Sequence, residues 1–111
     1  MYNYVFLVGR LVRDIKVNST DSGKSVANIS LAVTRPFKNP TTNQADVDYI
    51  NAVCWDGYCD TVAEYVHKGD TIGIKGRIQT RKEEINGKTY TMQEIIAEKV
   101  IFLSSNKQIE E

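Results

Sequence analysis

The sequence predicts an all-β fold with one helix, and three observations support this prediction. Most of the chain consists of short runs rich in Val, Ile, Tyr and Phe, which are separated by turn residues. Apolar residues recur with a helical period in one stretch, 56–69. The dipeptide Asn86-Gly87, a strong signal of a β-hairpin, then joins the last two runs. Three strands, one helix and two strands is the layout of a five-stranded OB-fold barrel, with an extended hairpin between strands four and five.

The first two strands are predicted from composition and alternation. Residues 2–11 are rich in Tyr, Val, Phe and Leu, and Gly9 among them indicates a bulge or a sharp bend. Turn residues fill 20–25, and a half-buried alternating pattern predicts the second strand over 26–34. A loop with two prolines is expected over 36–45.

The third strand, over 47–55, leads into the helix. Asp56 is expected to cap this helix and Gly69 to end it, with cations in the last turn as the helix dipole favours. The fourth strand, 71–82, and the fifth, 88–103, complete the set. One domain is therefore expected over 1–103, followed by a short polar tail at 104–111.

The size and composition exclude several classes of protein. A chain of 111 residues, 41% of them apolar, fits one folded domain rather than a disordered chain. It contains no apolar run near the roughly 20 residues of a membrane helix and no secretory signal. We therefore expect a cytoplasmic protein without a membrane partner. Cys54 and Cys59 are expected to be small buried apolar residues rather than part of a disulfide framework or a zinc site.

Catalysis is not expected, and neither is a cofactor or a metal. The chain lacks GxSxG, HExxH and P-loop motifs, and its one histidine, His67, is expected on the surface. Gly73 and Gly76 lie in a strand pattern, where they relieve crowding rather than cradle a phosphate. The neighbouring acids are expected to be solvated on exposed loops; they are Asp46 with Asp48 and Glu83 with Glu84.

The formal net charge is zero, which taken alone argues against nucleic-acid binding. The charge is nevertheless arranged in blocks, with a net +4 over 1–45, −5 over 46–70, +3 over 71–88 and −2 over 89–111. Because attraction of a polyanion depends on local clustering rather than on the total, the blocks leave a basic binding surface open.

Aromatic and basic residues alternate with core residues on two predicted strands. On the third strand, Tyr49, Asn51 and Trp55 share one face, and small apolar residues occupy the other. The aromatic face is expected to point outward, although packing in a core or a subunit interface fits the periodicity as well. On the fourth strand the cations of one polar face are Lys75, Arg77 and Arg81. Rings stack on unpaired bases and cations contact phosphates, so the combination favours a binder of single strands over a merely solvated face.

Several blocks of the sequence resemble bacterial single-stranded DNA-binding proteins, in the order and spacing of that family. These blocks are Asn3 to Leu11 with Asp14, Val26 to Val33, Tyr49 to Asn51 with Val53 and Trp55, Tyr65 with Lys68 to Asp70, and Gly76 to Arg81. The resemblance implies an OB fold that forms a homotetramer, or else a dimer. It also implies binding of single-stranded DNA without sequence preference, in replication, recombination or repair at the nucleoid.

The resemblance also implies which residues contact DNA. An aromatic residue after the second strand stacks on bases, and Phe37 occupies that place, while Tyr49 and Trp55 match two more on the third strand. Lys38 is predicted from the residues alone, because with Arg35 and Phe37 on the loop after the second strand it extends the set of aromatic and cationic residues. The cations at basic or polar positions of the family pattern are Arg10, Arg35, Lys68, Arg77, Arg81 and Lys82.

Two departures from the family pattern are visible. Many members carry an aromatic residue where this chain has Glu83, followed by Glu84, so we expect weaker binding or a shifted DNA path there. The family's Gly/Gln-rich linker and acidic tip ending in Phe are not matched at 104–111. We therefore expect a short form that recruits few partners through such a tip.

Two other functions remain open at this point. An OB-fold protein-interaction module of a replication or primosome complex would use Tyr49 and Trp55 at an interface, and the acidic block 46–70 against a basic partner. An OB-fold nuclease is disfavoured because the sequence shows no metal or general-base constellation.

Overall fold

The computed structural model describes residues 1–105 and shows one sheet of six strands with a single helix. The strands are β1 (Val5–Leu11), β2 (Val17–Ser19), β3 (Ser25–Lys38), β4 (Ala45–Trp55), β5 (Thr71–Ile85) and β6 (Lys88–Ser104), and the helix α1 is Gly57–Tyr65. The predicted order of five strands with a helix after the third is confirmed, and the short β2 is an addition. The predicted tail, 104–111, lies outside the described residues from 106 onward.

The first strand closes the sheet into a barrel. Neighbouring strands follow the order β1-β5-β6-β4-β3-β2, and β1 also pairs with β3. Val5 to Arg10 pair with β5, and then Arg10 and Leu11 pair with β3. The contact between β4 and β6 is parallel, whereas the other pairings are antiparallel. Five long strands closed in this way, with one helix between β4 and β5, form the predicted OB fold.

Two glycines let strands approach closely around the barrel. A Cβ at Gly9 would lie 2.7 Å from the carbonyl oxygen of Ala32. The β1–β5 register runs unbroken through this residue, so of the two alternatives predicted at Gly9, a bulge or a sharp bend, the bulge is wrong. At Gly76 a Cβ would overlap the carbonyl oxygen of Ile96, next to a register shift between Lys75 and Gly76. The prediction that glycine relieves crowding in this strand is confirmed at Gly76.

The core fills the space between the barrel wall and α1. Both cysteines are buried free thiols, as predicted, and burial raises the pKa of Cys54 to about 11. At neutral pH this side chain is therefore an uncharged, apolar filler. The buried apolar residues of the core are Leu11, Ala27, Ile29, Leu31, Ala52, Cys54, Cys59, Val62, Val66, Ile72, Ile74 and Ala97.

The loop predicted over 36–45 is shorter in the structure. β3 continues to Lys38, which pairs with Ala45, so Pro36 and Phe37 belong to the strand. The register shifts between Thr34 and Lys38, and proline is tolerated at such an irregularity because it donates no ladder hydrogen bond. Composition cannot reveal this, because the pairing depends on the opposite strand.

The helix also ends earlier than predicted. Val66 is extended and buried, so the chain leaves the helix after Tyr65 and enters the turn that carries His67 and Lys68. Asp56 stands at the N-cap position, but its side chain makes no capping hydrogen bond with the described residues. No helix between residues 1 and 105 is long and apolar enough to cross a bilayer.

The hairpin between β5 and β6 is confirmed. Asn86 and Gly87 have φ values of 52° and 78°, as a type I′ turn requires. Pairing continues to Ile85 and Lys88, beyond the predicted end of the fourth strand at 82. The two strands therefore extend from the barrel as an arm, residues 79–94, which we call the β5–β6 arm.

Replacing Gly76 with alanine is expected to lower the free energy of unfolding by about 1–3 kcal/mol, because the added Cβ would overlap the backbone of Ile96. Gly57→Ala is the matched control, since a Cβ at Gly57 would meet no described atom within 4 Å. Urea unfolding of both variants at one protein concentration measures the difference. Equal stability of Gly76→Ala and the unsubstituted chain would contradict the close approach of β5 and β6.

Candidate nucleic-acid interface

One face of β4 is directed away from the core, and we call it the aromatic face: Tyr49, Asn51, Val53 and Trp55. Tyr49 is 74% exposed and Trp55 is 40% exposed. On the opposite face, Ala52 and Cys54 are buried in the core. The prediction that both rings point outward is confirmed, and packing of these rings inside the barrel is excluded.

Two cations lie in a shallow groove at the Tyr49 end of this face and in the depression that adjoins it. The register places Ala32 between Arg10 and Tyr49, because it pairs with both of them. Arg10 lines the groove beside Tyr49, and it also lines the adjoining depression that contains Lys68. Closure of the barrel thus brings together three predicted site residues from distant parts of the chain. Neither cation forms an ion pair within the described part of the chain.

A second depression lies at the Trp55 end of the aromatic face. Trp55 lines it together with Lys24, Arg77 and Gln79. Arg77 was predicted as a site residue, whereas Lys24 was read only as part of a turn. Lys24 comes close because Val26 pairs with Trp55, and this register is not visible in the sequence.

The middle of the aromatic face is polar. The Ser30 hydroxyl donates a hydrogen bond of 2.6 Å to the side-chain oxygen of Asn51, its partner in the register. Asn51 also lines a small depression together with Ile78 and Glu94. A carboxylate therefore stands next to the line of rings and cations.

Arg35, which was predicted as a site residue, does not lie on the aromatic face. Arg35 donates from Nε and Nη2 to the two carboxylate oxygens of Asp48, at 3.0 and 2.9 Å, and its Nη1 lies 3.6 Å from Asp46. Asp48 pairs with Val33, whereas Tyr49 pairs with Ala32, so Arg35 and Asp48 occupy the face opposite Tyr49. Both aspartates are partly exposed to solvent, as expected, but their predicted place on a loop is wrong, because both are in β4.

Phe37 and Lys38 lie at the far end of β3, where the β3–β4 hairpin extends past the barrel. Phe37 is 64% exposed, and Lys38 is exposed without an ion pair among residues 1–105. An exposed ring beside an unpaired cation resembles the arrangement at Tyr49, although the register shift before Lys38 separates the two places.

Two predicted cations lie on the β5–β6 arm. Arg81 bridges two carboxylates, Glu94 at 3.1 Å and Glu83 at 3.3 Å. Lys82 is exposed, pairs with Thr91 across the arm and forms no ion pair with any described residue. Glu83 belongs to β5, so its predicted place on a loop is also wrong.

Comparison with known proteins gives a consistent result. The family model described as the single-strand binding protein family matches residues 2–103. The single-stranded DNA-binding protein of Oceanobacillus iheyensis is 44% identical over 95% of this chain and 65% of that protein. The single-stranded DNA-binding protein B of Bacillus subtilis is 39% identical over 93% of this chain and 91% of that protein.

A solved structure extends the similarity to three dimensions. The Plasmodium falciparum SSB complex with ssDNA matches with a TM-score of 0.75 and 25% identity, over 94% of this chain and 96% of that one. The chain spans slightly less than two-thirds of the length of some curated relatives, 65% for Oceanobacillus iheyensis and 61% for Halalkalibacterium halodurans.

The Arg35–Asp48 contact predicts a measurable pKa. The hydrogen bond from Arg35 holds the pKa of Asp48 below its ordinary 3.8. Because this pKa is lower in the folded state, the contact stabilises the fold at neutral pH, and the contribution is lost as the pH falls through the pKa of Asp48. Carboxyl NMR titration should give a value below 3.8 that rises in Arg35→Gln. An unchanged pKa in that variant would contradict the contact.

Proposed function

Because this chain belongs to the single-strand binding protein family, we propose that it binds single-stranded DNA without sequence preference. Bases would stack on the rings of the aromatic face, and the surrounding cations would contact phosphates. One observation carries the proposal: two exposed rings lie on one strand, with cations in a depression at each end.

The geometry accounts for a preference for single-stranded over duplex DNA that does not depend on the base sequence. Tyr49 and Trp55 are six residues apart on one strand, which corresponds to about 20 Å, so they would stack on separate bases. Only unpaired bases expose their faces to such rings, whereas duplex DNA keeps them stacked on each other. The total charge of the chain is zero, so phosphate attraction would come from local cations, and affinity would fall with salt through counterion release.

The proposed contact residues fall into three groups by their state in the free protein. The exposed stacking residues are Phe37, Tyr49 and Trp55. The cations without an ion pair in the described chain are Arg10, Lys24, Lys38, Lys68 and Lys82. The cations already bound to carboxylates are Arg35, Arg77 and Arg81. Contact between DNA and the third group would compete with these pairs.

We propose residues 1–103 as the DNA-binding domain and a homotetramer as its assembled form, with a dimer as the smaller alternative. The edge of β1 supports an assembly, because Val5 to Gly9 pair with β5 alone among the described strands. Phe6 and Val8 on this strand are 50% and 43% exposed. An open strand edge that carries exposed apolar side chains is typical of an interface.

The proposed action is passive. The protein would cover single strands, shift hairpins toward their melted form by mass action and shield the strands from nucleases, without catalysis. Such a role fits replication, recombination or repair in the cytoplasm, in association with the nucleoid. It requires only that binding be reversible and tolerant of sequence, both of which stacking provides.

Replacing Tyr49 with alanine is expected to weaken binding of oligo-dT by about 1–3 kcal/mol, the contribution of one base stacked on an aromatic ring. Because Tyr49 is 74% exposed, its removal should leave the fold intact. Tyr65→Ala is the matched control, since this tyrosine of α1 is 71% exposed but lies outside the aromatic face. Anisotropy of a labelled oligo-dT measures both variants. Equal losses in the two variants would argue against stacking on β4.

A further inference from the structure

Ion pairs in this protein are concentrated on three arginines. Every ion pair among residues 1–105 joins Arg35, Arg77 or Arg81 to a carboxylate. The lysines of the proposed interface form none there, although Lys38 and Lys82 lie on the same strands as the arginines. Two of the three arginines, Arg77 and Arg81, lie on β5 beside the aromatic face or on the adjoining arm.

The pair of Arg77 with Glu98 arises from a bulge. Lys75 pairs with Lys99 and Gly76 pairs with Ala97, so Glu98 is an extra residue of β6 at this point. Its carboxylate accepts a hydrogen bond of 2.7 Å from Nη1 of Arg77, the arginine that shares a depression with Trp55. The second guanidinium nitrogen, Nη2, donates to the side-chain oxygen of Gln79 at 3.2 Å.

Arg81 pairs with Glu94 where the register is regular, without a bulge, and it also pairs with Glu83 on its own strand. Nε of Arg81 lies 3.1 Å from the Glu94 carboxylate, whose side chain is 19% exposed. Gln79 donates to the other oxygen of Glu94 at 3.3 Å, so this carboxylate is held in place. Because Glu94 and Asn51 line the same depression, the carboxylate lies next to the middle of the aromatic face.

We propose that Glu94 and Glu98 are internal competitors of phosphate for Arg77 and Arg81. This inference rests on the proposed function. A carboxylate and a phosphate oxygen accept the same guanidinium donors, so a phosphate that binds the arginine competes with the glutamate for them. A displaced glutamate is then an uncompensated anion close to the DNA, and it repels the phosphates. Both effects lower the affinity for single-stranded DNA below the value that the number of cations indicates.

The competition determines how tightly the single-stranded DNA is bound beside Trp55. A phosphate that leaves Arg77 is replaced at once by a carboxylate already positioned by the bulge. Because the carboxylate takes the place of the phosphate, the guanidinium keeps an anionic partner. The free-energy cost of releasing one phosphate of the DNA is therefore lower. Stacking would then supply most of the affinity for DNA, whereas the paired arginines would contribute little to it and exchange readily between carboxylate and phosphate.

The test compares two substitutions that change the net charge equally. Glu98→Gln removes the competitor of Arg77, and Glu64→Gln removes an exposed carboxylate of α1 that forms no ion pair within residues 1–105. An exposed ion pair changes an equilibrium by up to about five-fold. At low salt we therefore expect Glu98→Gln to bind oligo-dT about two- to five-fold more tightly than Glu64→Gln, and this advantage should shrink as salt screens the competition.

Anisotropy of a labelled oligo-dT gives the affinities, and Glu94→Gln tests the second competitor independently. The expected result is a gain in both interface variants relative to Glu64→Gln. If the unsubstituted chain binds oligo-dT but Glu98→Gln and Glu94→Gln behave like Glu64→Gln, the competition is overturned and the proposed function stands. If the unsubstituted chain does not bind oligo-dT at all, the proposed function fails, and the inference fails with it.

Discussion

The close approach of β1 to β3 at Gly9 is the constraint on which the rest of the molecule depends. It lets β1 pass from β5 to β3, so that Arg10 pairs with both strands and Leu11 with β3 alone, which closes the barrel. Leu11 then donates its N–H to the carbonyl of Asp70 and accepts the N–H of Gly69, each at 2.8 Å. The same closure therefore sets Arg10 next to Tyr49 and holds the turn that carries Lys68.

The second requirement is the alternation along β4. The core already contains Ile29, Leu31, Ile72 and Ile74, so it has room for only small side chains from this part of β4, and Ala52 and Cys54 meet that need. The large rings of Tyr49 and Trp55 are consequently placed outside. A shift of one residue in register would bury the amide of Asn51 and expose the small apolar residues, so the core itself keeps the rings in position.

Local patterns in the sequence predicted those structural features that neighbouring residues determine. Alternation identified the outward rings of β4, and Asn86-Gly87 identified the hairpin, because both depend on neighbouring residues alone. The ion pair of Arg77 with Glu98 escaped prediction because it requires a bulge in the pairing of β5 with β6. The predicted cationic stripe is thus partly neutralised by acids that are distant in the chain, and no count of nearby charges could show it.

The most direct test of the account is a titration of Trp55 fluorescence with oligo-dT and with a duplex of equal length, at low and at high salt. Trp55 is the only tryptophan of the chain, so the signal reports on the aromatic face alone. The account predicts strong quenching by the single strand, little by the duplex, and weaker binding at high salt. Absence of quenching by either nucleic acid would contradict it and would favour a protein partner for the same face.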